Sequence, residues 1–176
     1  MSIDDPLVTA ALAGPGNAPR RVPIESRANL QRAVEVLLAG ARRTLDWADR
    51  DLSRFALTLS IHTAQIERCL LADRRARLRL LVDDPTWIET QAARLKQLHR
   101  TFPHAIQIRQ ALPEDPIGDD SFAIIDGLHG LSLRLGPYTN GELWLNDRPR
   151  ASPWRDAFER RWENAGCDLP AFTLGL

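Results

Sequence analysis

Asp119-Asp120-Ser121-Phe122-Ala123-Ile124-Ile125-Asp126-Gly127 is the stretch on which the reading of this chain turns. Phe122 to Ile125 is an unbroken apolar run of strand length. A loop carrying Pro113, Pro116 and Gly118 delivers the chain into it. Asp126-Gly127 closes it with a pair that commonly shapes a tight turn.

Working outward, Ala105 to Gln110 is an alternating strand led by Ile106 and Ile108, with His104 just before it. On the other side, His129 to Leu135 alternates through Leu131, Leu133 and Leu135. Tyr138-Thr139-Asn140-Gly141 suits a hairpin turn into a strand over Glu142 to Asn146. Ser152-Pro153 reads as the start of a last helix with the stripe Trp154, Phe158, Trp162 and Ala165, ending at Gly166. Such an aromatic stripe belongs to a core rather than to a base-stacking surface.

Upstream, Ser26 is a good N-cap, and Leu30, Ala33, Val34, Leu37, Leu38 and Ala41 recur on one helix face. Thr44 to Ala48 reads as a short strand. A second helix carries Ile66, Cys69 and Leu70 behind a Ser60 or Thr63 cap, with His62 and later His99 at exposed or flanking helix positions. Leu78 to Val82 is apolar enough for a strand covered on both faces. Asp84-Pro85 then starts a helix with the stripe Ile88, Ala92, Leu95, Leu98 and Phe102, which Pro103 stops. The order α, β, α, β, α, β, β, β, β, α predicts an α/β domain: a mixed sheet flanked by helices on both faces. Residues 1–22, rich in Ala, Gly and Pro, read as a flexible tail, and 23–176 as the domain.

The chain has 176 residues, 44% of them hydrophobic, which suits one domain. Lys+Arg and Asp+Glu both number 23, so no global field draws in nucleic acid or an anionic membrane, and nucleic acid is disfavoured as a partner. Lys96 is the only lysine. Arg74, Arg75, Arg77 and Arg79 form a local basic run, but Arg77 and Arg79 alternate with Leu78 and Leu80 as on one strand face or in a polar groove. Cys69 and Cys167 make neither a disulfide framework nor a metal site, and Cys69 reads as a buried thiol. Asp4 and Asp5 stand where a signal peptide needs positive charge, and no stretch reaches the length of a membrane span. The expected setting is soluble and cytoplasmic.

The Asp119 to Gly127 stretch resembles the H-x-K-x4-D motif of the phospholipase D superfamily. Counting back from Asp126, Ser121 stands at the lysine position and Asp119 at the histidine position. The order of elements over roughly residues 23 to 165 is similar to one half of that superfamily. The chain also resembles a bacterial family of uncharacterised phospholipase D-like domains, through Glu25-Ser26-Arg27, the strand His104 to Arg109, and the Asp120-Ser121-Phe122 stretch that ends in Ile125-Asp126-Gly127. That resemblance implies a domain found alone or beside an acetyltransferase. The superfamily's chemistry uses one His to attack phosphorus, a second to protonate the leaving group, and lysines to balance phosphoryl charge. Asp119 would set a negative charge there and Ser121 supplies no positive one. A misplaced unit charge at ~4 Å is worth about 4 kcal/mol at an effective dielectric of 20, so phosphodiester hydrolysis is not expected. Leu133-Arg134-Leu135-Gly136 likewise occupies the place of the superfamily's downstream G-S-x-N element.

Asp119, Ser121, Asp126, His104 and His129 are the candidate ligand-pocket residues. The acidic residues Asp119, Asp120 and Asp126, with Glu114 and Asp115, could hold a divalent cation. A solvated, turn-forming acidic loop explains them more simply, so no metal and no cofactor is assigned. The resemblance implies a non-catalytic binding or scaffolding domain that forms a homodimer and takes a small phosphate-type ligand or a protein partner. One alternative is a hydrolase of altered, metal-assisted chemistry built from Asp119, Ser121, Asp126 and His104. Another is a regulatory protein-interaction module beside an acetyltransferase.

Overall fold

Seven strands form one sheet in the order β1-β7-β6-β5-β2-β3-β4. The computed structural model describes residues 2–3, 18–134, 136 and 139–170. Residues 4–17 of the expected tail, Leu135 of an expected strand and Tyr138 of the expected hairpin turn lie outside the described residues. Along the chain come β1 (Arg20–Ile24), α1 (Arg27–Gly40), β2 (Thr44–Asp49), a one-turn 3-10 helix (Ser53–Phe55), α2 (Ser60–Ala72), β3 (Arg77–Val82), α3 (Thr86–Gln91) and α4 (Ala93–Thr101). β4 (Ile106–Gln110), β5 (Asp120–Ile125), β6 (His129–Arg134), β7 (Asn140–Leu145) and α5 (Arg148–Asn164) complete it.

β2, β3 and β4 are parallel, and β5, β6, β7 and β1 continue the sheet antiparallel. Strand alternation sorts the side chains into two cores. Leu45, Trp47, Leu78, Leu80, Ile125 and Leu131 face α1, α2 and α4, whereas Ala48, Leu81, Phe122 and Ile124 face α5 through Phe158 and Trp162. The mixed sheet with helices on both faces is therefore observed, with α5 the helix packed on the second face. Gly130 is needed where it stands. A Cβ there would lie 2.3 Å from the Ala123 carbonyl oxygen and 2.5 Å from the Trp144 ring, in a sheet that has no room to yield.

The expected cap of α1 is present, with Ser26 Oγ accepting the Asn29 N–H at 3.1 Å. Several other expectations need correction. The domain does not begin at 23, since Arg20 and Arg21 already pair with Leu145 and Trp144 in β1; the partner strand, not local composition, makes this a strand. The expected helix behind Asp84-Pro85 is two helices broken at Ala92 (φ −97°, ψ 51°). Lys96 Nζ closes the break by donating to the Glu89 carbonyl at 2.5 Å. The last helix begins at Arg148 rather than at Ser152, because Asp147 caps it by accepting the Arg150 N–H at 3.0 Å. Neither Ser60 nor Thr63 caps α2, and Thr63 Oγ1 instead donates back to the Leu59 carbonyl.

His62 and His99 are buried, not exposed or flanking. His62 heads the inward stripe of Ile66 and Cys69 on α2. Arg79 is also buried, which removes it from the basic run as a surface contact. It donates to Asp46 Oδ1 at 2.7 Å and to both Glu159 carboxylate oxygens at 2.9 and 2.6 Å. Its guanidinium lies over the Phe158 and Trp162 rings.

Candidate functional site

The parallel strands end together at Asp49, Val82 and Gln110. From β2 the chain winds outward through β3 and β4, then returns to lay β5 on the other side of β2. In a sheet of this kind the crevice at the carboxyl ends of the strands, where the winding reverses, is where ligands bind. The β2–β5 register, which pairs Ala48 with Phe122, brings Asp49 level with Ser121 at that crevice.

Asp49 and Ser121 are both 0% exposed. Ser121 Oγ–H donates to Asp49 Oδ1, and Arg54 Nη2 donates to Ser121 Oγ at 2.5 Å and to Asp49 Oδ1 at 3.3 Å. The other Asp49 oxygen accepts the Leu52 N–H at 2.7 Å. The buried carboxylate is therefore neutralised and fully bonded, as a charge in such surroundings must be. Arg54 comes from the short turn after β2, which is bounded by two non-glycine residues of positive φ, Leu52 at 67° and Ala56 at 50°. Strain of this sort persists only where neighbours impose it, and it is concentrated at binding sites.

The Arg54 side chain is 32% exposed and lines a cavity of about 380 Å³ together with Arg27, Leu30, Ser53 and Thr139. A smaller cavity of about 110 Å³ shares the Leu30–Arg54–Thr139 wall and adds Leu133, Arg134, Gly136 and Asn140. Three guanidinium groups line this cleft, and no carboxylate is among its described lining residues. Chemically it suits an anion, which Arg binds through several parallel N–H donors.

The five residues proposed from sequence do not form one pocket. Asp119 is exposed in the turn before β5, near Ser121 at the crevice. Asp126 stands at the opposite end of β5, five residues along an extended strand and so roughly 16 Å away. There, with φ 55°, it accepts the backbone N–H groups of Arg42, Arg43 and Thr44 at 2.9, 2.8 and 2.8 Å. His129 begins β6 beside it, buried, with Nδ1 accepting the Asn146 N–H at 3.0 Å. Burial pushes the His129 pKa down, against the pull of Asp126. His104, exposed, precedes the edge strand β4 at that same end. A Ser121–His104–Asp126 relay is thus excluded by strand geometry. Among the described residues, no three His, Cys, Asp or Glu side chains converge to hold a metal ion.

Sequence reading missed Asp49, Arg54, Arg27 and Arg134. The available signal was Asp49-Arg50-Asp51-Leu52-Ser53 directly after a buried strand, since Asp and Ser at alternate positions bond their own backbone in turns. Asp51 Oδ1 does accept the Ser53 N–H, at 2.9 Å.

Residues 26–170 match the family model described as Domain of unknown function (DUF7931). The chain belongs to this family. No curated protein matches this DUF7931 chain in sequence. Its fold is shared with phospholipase D superfamily members. Nuc from Salmonella typhimurium, a phospholipase D family member, superposes with a TM-score of 0.55 at 12% identity, covering 86% of this chain and 99% of that one. Phosphatidylserine synthase of Haemophilus influenzae Rd KW20 gives 0.59 at 13%, over 86% of this chain and 39% of the synthase. TrmBL2, an archaeal chromatin protein whose structure shows a novel mode of DNA binding, gives 0.63 at 13%, over 90% of this chain and 58% of TrmBL2. This domain spans little more than half of TrmBL2 and about two fifths of the synthase. At these identities the likeness concerns the fold alone. Among the described residues no helix is long and apolar enough to cross a membrane.

Proposed function

We propose that this domain is a non-catalytic binding module of phospholipase D-like fold whose cleft takes a phosphate-type anion. One observation carries the reading. Ser121, at the motif position of the lysine, is closed between Asp49 and Arg54, and Arg54 brings a cation to that strand end from a different element. Positive charge for an anion remains because Arg27 and Arg134 stand beside the Arg54–Asp49 pair. A nucleophile does not, because Ser121 is fully buried and His104 and His129 belong to the other end of the sheet.

Calorimetric titration with pyrophosphate tests this. Binding is expected, and Arg27→Ala or Arg134→Ala, both at exposed positions, should each weaken it by roughly tenfold, the worth of one charge-assisted hydrogen bond. No binding, or binding indifferent to both changes, overturns the reading. Turnover of a phosphodiester that disappears in Ser121→Ala would favour the altered-hydrolase reading instead.

The same proposal includes pairing with a second copy. The chain corresponds to nearly all of Nuc but to 39% of the synthase, proportions that suit one half of a two-half assembly, and such assemblies close by symmetry. Light scattering should return twice the 19.8 kDa chain mass; a monomer counts against pairing. Two unpaired cysteines, Cys69 buried and Cys167 exposed, suit a reducing cytoplasm.

A further inference from the structure

The turn that presents Arg54 is held at both ends by titratable side chains. At its start Asp49 accepts the Leu52 N–H, and at its end His62 Nδ1 meets the Ala56 carbonyl at 2.9 Å. Between them Phe55 is buried edge-on against Trp47, with ring centroids 5.6 Å apart. We propose that His62 is a positioning residue for Arg54, and that its protonation releases the turn and switches off anion binding in the cleft. This rests on the reading of the cleft given above.

A carbonyl can only accept, so the neutral imidazole carries its hydrogen on Nδ1 and its lone pair on Nε2. Nε2 is buried and has no hydrogen-bond partner. Adding a proton there would create a buried charge and a buried N–H with no acceptor, which is strongly unfavourable. Burial accordingly lowers the His62 pKa, opposed by the Ala56 carbonyl and by Glu35. The charged groups around the ring are few. Glu35 of α1 lies 3.0 Å from Arg32, Arg54 of the turn is paired with Asp49, and Glu67 of α2 is exposed. Arg68 of α2 donates to the Leu38 and Ala39 carbonyls of α1 at 3.0 and 2.8 Å, and Arg94 of α4 donates to the Thr58 carbonyl at 3.4 Å. Acid is therefore relieved by the ring leaving its place, which breaks the tie to Ala56. With that tie gone, the Leu59 N–H at 3.0 Å is the remaining hydrogen bond to the Ala56 carbonyl, and a single bond leaves the strained turn freer to relax from the geometry that aims Arg54.

The test follows the Arg54 Nε–H and the amide signals of residues 52–57 by NMR between about pH 7.5 and 5, the range in which His titrates. Sulfate is the probe, because its charge is constant over that range. Apparent sulfate affinity should fall about fivefold or more as His62 protonates. His62→Asn, whose side-chain N–H can replace Nδ1–H without titrating, should keep its neutral-pH affinity in acid, and His62→Leu should bind weakly throughout. Wild-type affinity that ignores the titration of His62, or a full acid loss in His62→Asn, overturns the proposal. Should sulfate fail to bind at any pH, the cleft reading fails. The positioning role is then still decided by whether the turn signals and their hydrogen exchange follow the His62 titration; signals that do not follow it refute the role.

Discussion

Thr44 and Asp126, 82 positions apart, are bonded to each other twice: the Thr44 N–H donates to Asp126 Oδ1 at 2.8 Å, and the Asp126 N–H donates to the Thr44 carbonyl at 2.9 Å. The same carboxylate gathers the Arg42 and Arg43 N–H groups. The one aspartate shared with the H-x-K-x4-D pattern thus splices the β5–β6 turn to the start of β2.

Asp126→Ala leaves three backbone donors without their acceptor and should cost about 3 kcal/mol, a fall in Tm of roughly 6–12 °C for a chain of this size. Anion binding at the far end of β5 should survive wherever the variant is folded. A thermal melt paired with pyrophosphate titration checks both, and an unchanged Tm would contradict the structural role.

Arg79 and Asp46 form a buried ion pair beneath α5, which the partly exposed Glu159 joins from the helix. Burial raises the Asp46 pKa while Arg79 pulls it back, and Arg79 holds the Glu159 carboxyl below its ordinary range. Arg79→Met alone strands Asp46 and should cost about 3–5 kcal/mol, whereas Asp46→Leu with Arg79→Met should recover most of that loss. Urea denaturation of the two singles and the double decides it through their coupling energy.

His62, His99 and His129 all have pKa values lowered by burial. Below the ordinary value of 6.5, the unfolded chain binds protons that the folded chain refuses. Stability should therefore rise with pH up to about 6.5, and decline progressively below it towards the lower folded values. Denaturation midpoints across that window report it, and a flat profile would mean that the imidazoles are less buried than described.

Asp119→His with Ser121→Lys rewrites the motif but not its surroundings. A lysine at 121 would enter a position with no exposure and compete with Arg54 for Asp49. The expected result is no turnover of bis(p-nitrophenyl) phosphate and a stability loss of about 1–3 kcal/mol from overpacking. Measured hydrolysis would show that one half of the fold needs only its motif residues to act.

The sequence revealed most where hydrophobic spacing and burial coincide. Ser26 and its stripe predicted α1 well, and Leu78 to Val82 did the same for β3. The break at Ala92 was hidden, since Ile88, Ala92 and Leu95 continue a helical stripe across it and the Lys96 bond that closes it is not local in pattern. β1 was hidden because Arg20-Arg21 and Pro23 resemble an edge strand only once β7 lies beside them. For the site, motif spacing located Ser121 and Asp119. Asp49 and Arg54 meet Ser121 only because β5 returns to pair with β2, and that is a property of sheet order rather than of local sequence.

Sheet order also constrains the assembly of the molecule. Arg20 at the start of β1 is matched to Leu145 at the end of β7, and α5, which shields Phe122 and Ile124, is the last helix of the described chain. A nascent chain on the ribosome would carry β1 with its edge unmet until β7 had been synthesised. Pairings that span so much of the chain close slowly, and they leave intermediates open to association in the meantime. Pro23, which offers no N–H to a stray strand, guards that waiting edge.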